Sequence, residues 1–264
     1  MRTIVCIKQV PESASEITIN PEDNTLNREG AEAIVNPFDE YAVEEALLLR
    51  ERFGGDVWAI SMGPLQAEKA LKQAIAMGVN EAVLLNDQKF AGSDTLATSY
   101  ALAKAIEKIG DYDLVICGKQ AIDGDTAQVG PGIATRLGLS QLTYVCRVVE
   151  LDLEARTVAV HRLLEGCTEA IKGHLPAMLT VVKDINQPRY PSLLGIRKAS
   201  RRKLEVWTAE SIGADASRIG LGGSPTWVER VFTPPMRSGG EILEGEVDEA
   251  IDKLIGKLQA DGFV

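Results

Sequence analysis

Short apolar runs alternate with longer stretches whose apolar residues recur every three to four positions through the first half of the chain. Thr3–Ile7 is such a run, and its unbroken apolar character predicts a strand buried on both faces. Lys8-Gln9-Val10-Pro11 ends it. In the polar stretch that follows, Ile17-Thr18-Ile19-Asn20 alternates and Pro21–Asn24 turns, which predicts a small hairpin excursion. A helix is expected from Glu40 to Arg52, with Asp39 as its cap. Ala42, Val43, Ala46, Leu47 and Leu49 face inward there, and Glu44 and Glu45 outward. Strands follow at Asp56–Met62, Glu81–Leu85 and Leu114–Cys117. Helices follow at Gln66–Met77, from Ser93-Asp94-Thr95 to Lys108, and at Ala127–Leu137. Gly78 suits a helix C-cap, and Ser93 or Asp94 an N-cap. Strand–helix alternation of this kind implies a parallel, doubly wound sheet.

After Leu139 the pattern changes. Leu142–Leu151, Thr157–Arg162, Ala170–Ile171 and Ala177–Val182 read as strands with short links, so an antiparallel addition is expected. Residues 184–205 hold a proline-rich loop with Leu193 and Leu194 near its tip. Arg197, Lys198, Arg201, Arg202 and Lys203 then stand on a helix, which is either a solvated face or a steered anchor for a partner. Gly220–Thr226 and Thr233-Pro234-Pro235 are linker-like. An amphipathic helix over Asp248–Leu258 presents Ile251, Leu254, Ile255 and Leu258 on one face, for docking outside the core or packing back on it. The fold class is therefore α/β: a doubly wound, mostly parallel sheet of Rossmann-like kind, with antiparallel additions and a C-terminal extension. The expected division is 1–190 and 191–264.

The chemistry concentrates in residues 113–130. A buried strand stops at Gly118, and a polar loop carrying Gly124 and Gly130 leads into a helix that Asp125 or Thr126 can cap. Backbone N–H groups and the positive end of a helix dipole can cradle phosphate there, and glycines let a ligand approach the backbone. A turn that binds nothing has the same outline, and the loop is neither a Walker loop nor a GxGxxG fingerprint. Thr95 and Thr98, three apart on a first helical turn, offer hydroxyls to a phosphate or ribose. No nucleophile–base pair or carboxylate dyad stands out. A net charge of −10 argues against nucleic acid as the main partner. Four scattered cysteines and two isolated histidines make no metal or disulfide motif. No apolar run is long enough to span a membrane, and a cytoplasmic protein is the expectation.

Gly118-Lys119-Gln120-Ala121-Ile122-Asp123 followed by Gln128-x-Gly130 resembles the nucleotide loop of electron transfer flavoprotein β subunits. Asn36-Pro37-Phe38 leading into Tyr41–Ala46, Ser61-Met62-Gly63-Pro64, Ala74–Gly78 and Asn186-Gln187-Pro188-Arg189-Tyr190 match the same family in order, from Ile4 to about Trp207. Cys167 stands where the family more often has an acidic residue or glycine. The resemblance implies an adenine-nucleotide site made by Cys6, Lys8, Asn36, Phe38, Asp39, Met62, Thr95, Thr98, Gly118, Lys119, Gln120, Asp123, Gly124, Asp125, Thr126, Gln128, Val129 and Gly130. It implies a heterodimer with an α subunit, embraced by the C-terminal arm. It also implies recognition of an acyl-CoA dehydrogenase-type partner through Leu193, with Arg197 and Lys198 beside it. Conventional members hold AMP here. Asp123–Gly130, Lys8–Pro11 and Ser93–Thr98 look instead like the electron-bifurcating group, which holds FAD, takes hydride from NADH and divides the electrons with ferredoxin or flavodoxin. Two other classes compete: a stand-alone adenine-nucleotide-binding regulatory module, against which residues 184–264 speak, and an adenylating α/β enzyme, which wants a Ser/Gly-rich loop after the first strand.

Overall fold

The computed structural model describes residues 1–12, 18–19, 26–27, 33–229 and 240–263. They fall into two units, Met1–Glu229 and Arg230–Val264. The first begins with β1 (Arg2–Cys6), whose last four residues are buried. Then come β2 (Gln9–Pro11), β3 (Thr18–Ile19), β4 (Leu26–Asn27) and β5 (Ala33–Val35). β2 pairs with β5 and β3 with β4, both antiparallel. This is the expected excursion, and its turn at Pro21–Asn24 lies outside the described residues. The alternating series follows: α1 (Pro37–Phe53), β6 (Asp56–Met62), α2 (Glu68–Met77), β7 (Glu81–Leu85), α3 (Thr95–Ile109), β8 (Leu114–Gly118) and α4 (Val129–Leu137). β9 (Ser140–Asp152), β10 (Thr157–Leu164), β11 (Cys167–His174), β12 (Ala177–Val181), α5 (Leu193–Arg201) and β13 (Glu205–Trp207) complete it.

One sheet of nine strands runs β11-β10-β9-β12-β8-β1-β6-β7-β13. All neighbours from β9 to β13 in that order are parallel, and only β10 and β11 are antiparallel. β10 and β11, running on from β9, are the expected antiparallel addition, and the expectation fails only for β12. β12 enters the parallel sheet between β8 and β9, and all five of its residues are buried, as a strand covered on both faces requires. α1 and α2 cover one face through Ala42, Ala46, Leu47, Leu71 and Ile75. α3 and α4 cover the other through Ala101, Ala105, Ile106 and Ile133.

Two further expectations change. Glu44 and Glu45, placed outward by helical spacing, are buried. Arg189 forks onto both oxygens of Glu44, and Asn186 donates to Glu45 at 3.0 Å, so the loop before α5 lies on α1. Gly220–Thr226, read as a linker, is fastened to the start of α3: the Gly220 amide donates to Ser93 Oγ at 2.9 Å, and Thr226 Oγ1 to Asp94 Oδ2 at 2.8 Å. α5 packs on α2, and β13 extends the sheet. The first unit therefore runs to Glu229, past the expected boundary at 190. Thr233-Pro234-Pro235 lies outside the described residues. The second unit carries α6 (Val247–Ala260), whose Ile251, Leu254 and Ile255 are exposed.

Candidate functional site

Parallel strands bring the loops after β1, β6 and β8 to one edge of the sheet, where such folds place ligands. The first turn of α1 organises that edge. Pro37 sits at its start, where a missing N–H costs nothing. Asn36 is in the N-cap position but makes no capping bond. Its Nδ2 donates to the Gln120 carbonyl at 2.9 Å, and its Oδ1 accepts from the Ile122 amide at 3.1 Å. Asp39, expected as the cap, lies inside the helix and is buried. One carboxylate oxygen accepts from the Lys8 amide at 2.8 Å and the other from the Gly118 amide at 3.0 Å. Burial pushes its carboxyl up to about 7, against the pull of those bonds and of the Lys8 charge.

The loop after β8 is tied down elsewhere too. The Lys119 amide donates to the Val181 carbonyl at 2.8 Å, and Lys8 Nζ pairs with Asp123 at 2.7 Å. Gln120 Nε2 donates to Asp125, so Asp125 does not cap α4. Asp125 and Ala127 adopt positive φ, at 53° and 54°. α4 starts at Val129, two residues later than expected, and its N-cap Gln128 makes no side-chain cap. The first-turn amides of α4 thus have no capping side chain and carry the positive end of the helix dipole. Thr95 Oγ1 donates to Gln128 Oε1 at 2.8 Å, which joins the starts of α3 and α4.

The three loop glycines serve different ends. A Cβ on Gly118 would lie 2.5 Å from Asp39 Oδ1 and from Phe38 Cβ. One on Gly130 would lie 2.7 Å from Thr180 Cγ2 and 2.9 Å from Cys117 Sγ. Both are glycine because the protein packs against them, not to admit a ligand. Gly124 has nothing within 4 Å and is the open one. A cleft between the segments after β1 and β6 is lined by Lys8, Val10, Met62, Pro64, Gln66 and Ala67, among others.

The residues expected at the site are thus brought to one edge. Lys8, Asn36, Asp39, Gly118, Gln120, Asp123 and Asp125 are linked by the hydrogen bonds above, and Thr95 joins Gln128. Lys8 and Met62 share the cleft. Phe38 abuts Gly118, and Val129 packs on the core beneath α3 and α4. Lys119 Nζ lies 5.3 Å from the Tyr144 ring. Thr98 follows one turn after the α3 N-cap, and Gly124 and Thr126 are exposed. Cys6 is buried opposite Cys117 in the β1–β8 register, and burial raises both thiols well above the ordinary range, so each behaves as a small hydrophobe. Sequence reasoning missed the cleft residue Gln66, and also Thr180, which fills the space beside Gly130. Leu193 is 86 % exposed, with Leu194, Tyr190 and Ile196 also exposed, on α5 and the loop before it. Arg197 and Lys198 are exposed on the same helix. Among the described residues no group of acidic, histidine and cysteine side chains could hold a metal ion. No helix among them is long and apolar enough to cross a membrane.

Fold and site together define a class: a parallel α/β protein whose strand-edge loops meet at a helix start that no side chain caps. Comparison with known proteins gives the family. The electron transfer flavoprotein domain matches residues 23–212. Electron transfer flavoprotein subunit beta of Thermoanaerobacterium thermosaccharolyticum is 48% identical over 261 residues, 98% of this chain and 98% of that protein. Protein FixA of Bradyrhizobium diazoefficiens is 48% identical over 263 residues, 98% and 91%. The beta subunit of Clostridium acetobutylicum is 44% identical over the full length of both. The chain belongs to the electron transfer flavoprotein family, on the β-subunit side that includes FixA, and its role is electron transfer.

Proposed function

We propose that this chain is the β subunit of an αβ electron transfer flavoprotein and that its strand-edge site holds FAD. The observation that carries this reading is the start of α4, free of any capping side chain, behind a loop whose one unfilled glycine, Gly124, faces open space. Amides there suit a phosphate. Thr98 and Thr126 add hydroxyls beyond what a mononucleotide needs, and Lys8, balanced by Asp123, places a cation at the rim. Bound FAD would accept hydride from NADH and part with its electrons singly, to the α-subunit flavin and to ferredoxin or flavodoxin. The chain's own part is to bind and orient the cofactor. Asn36 and Asp39 set the loops, and α3 and α4 present hydroxyls and amides.

The remaining surface divides the partners. The exposed apolar tip at Leu193, with Arg197 and Lys198 beside it, suits docking of an acyl-CoA dehydrogenase-type protein. The exposed apolar face of α6 suits the α subunit. The setting is the cytoplasm. The test is stoichiometry. Denaturing the purified αβ complex should release two FAD per heterodimer. One FAD and one AMP would make the chain a conventional carrier, with AMP in this site, and would reject bifurcation.

A further inference from the structure

We propose that Asp39 is the positioning residue of this site: a double acceptor that fixes the loop after β1 to the loop after β8, so that nucleotide binding follows its ionisation. The inference rests on the reading above that the strand edge holds a nucleotide. The geometry is specific. An ionised carboxylate has acceptors only, and both oxygens of Asp39 face backbone donors, Lys8 at 2.8 Å and Gly118 at 3.0 Å. Three residues earlier, Asn36 meets one donor and one acceptor of the same β8 loop, and there the side chain is an amide. An amide at 39 would turn an N–H toward an N–H. Gly118 completes the fit, since any Cβ would lie 2.5 Å from Asp39 Oδ1. Asp39 thus links the two loops through one buried carboxylate, beside the Lys8–Asp123 pair at the rim and Asn36, whose side chain holds the second loop and whose amide donates to the Lys8 carbonyl at 2.8 Å.

The groups that face Asp39 are few. β1 and the residues after it contribute the Cys6 thiol and Lys8, β8 contributes the Cys117 thiol, and α1 contributes Asn36. Lys8 is itself paired with Asp123. Burial outweighs this partial compensation, so the carboxyl titrates at about 7. When it takes up a proton, one oxygen turns from acceptor to donor and one loop amide loses its partner. If the site binds only with Asp39 ionised, the competent fraction falls about tenfold between pH 8 and pH 6. Stability moves the other way. The folded value lies above the unfolded one, so Asp39 favours the empty fold at low pH, and that contribution is lost as pH rises through about 7. A residue with a purely structural part would show the second effect without the first.

The experiment titrates FAD into the αβ complex, its second nucleotide removed and its α-subunit flavin retained, at pH 6, 7 and 8. Wild type should lose about tenfold in affinity from pH 8 to pH 6, while its nucleotide-free melting temperature rises. Asp39→Asn should bind weakly at every pH with a flat profile, and Asp39→Glu should keep a pH-dependent one. With AMP as probe, whose phosphate takes up a proton near pH 6, the difference between wild type and D39N is read instead. A flat wild-type FAD profile overturns the proposal, as does D39N with wild-type affinity. The wild-type profile decides the matter even if D39N does not fold. Binding that is intact but flat removes only this inference. Binding of neither FAD nor AMP at any pH removes the nucleotide site with it.

Discussion

Replacing Arg189 by methionine removes one cation from two carboxylates on α1. Arg189 donates to Glu44 from Nε at 2.8 Å, from Nη2 at 2.9 Å and from its backbone amide at 3.0 Å, and to Glu51 from Nη1 at 2.6 Å. Glu51 is half exposed, and losing that contact should cost less than about 1 kcal/mol. Glu44 is buried, with Glu45 next to it already held toward its neutral form by burial. Stranding a buried charge costs about 3–5 kcal/mol. The expected loss is therefore about 3 kcal/mol, roughly a hundredfold in the folding equilibrium, or a melting temperature lower by about 6–12 °C for a unit of this size. Urea unfolding measures it, and a cycle with Glu44→Gln isolates the ionic part. In the E44Q background, R189M should cost less by at least about 2 kcal/mol. A single-mutant loss below about 1 kcal/mol, or the same loss in both backgrounds, would refute the argument that this pair holds the 186–192 loop.

Gly130→Ala should destabilise by about 1–3 kcal/mol, because the new methyl meets Thr180 and Cys117 in a packed core; thermal melting reads it, and FAD affinity should fall as α4 shifts. Asp94→Ala removes both the α3 N-cap and the hold on Thr226, so it should cost about 1–2 kcal/mol and speed proteolysis near residues 224–229. Leu193→Asp, at an exposed position, should change stability by less than about 0.5 kcal/mol while slowing electron transfer to the dehydrogenase-type partner, measured by reduction kinetics.

The parallel strands were legible because burial on both faces leaves continuous apolar runs, as in Thr3–Ile7 and Leu114–Cys117. The place of β12 was not, because which strand it lies beside is a property of the sheet and not of the segment. Periodicity put Glu44 and Glu45 on the solvent side. The residues that neutralise or bond them, Arg189 and Asn186, lie 145 and 141 positions away and carry no local signal. Asp39 reads as a cap from its place before a helical pattern, yet Pro37 starts the helix earlier and turns Asp39 toward the two loops. Gly118, Gly124 and Gly130 look alike in sequence. Only their neighbours show that two accommodate protein atoms and one faces open space.

Hydrogen exchange on the αβ complex, with its second nucleotide first removed and then restored as FAD, decides whether this strand edge is the nucleotide site. Amides of residues 118–130 and of the first turn of α1 should slow on adding FAD, with those at the start of α4 slowing most. Protection confined to other parts of the complex, with residues 118–130 exchanging as before, would contradict the assignment of this edge as the nucleotide site.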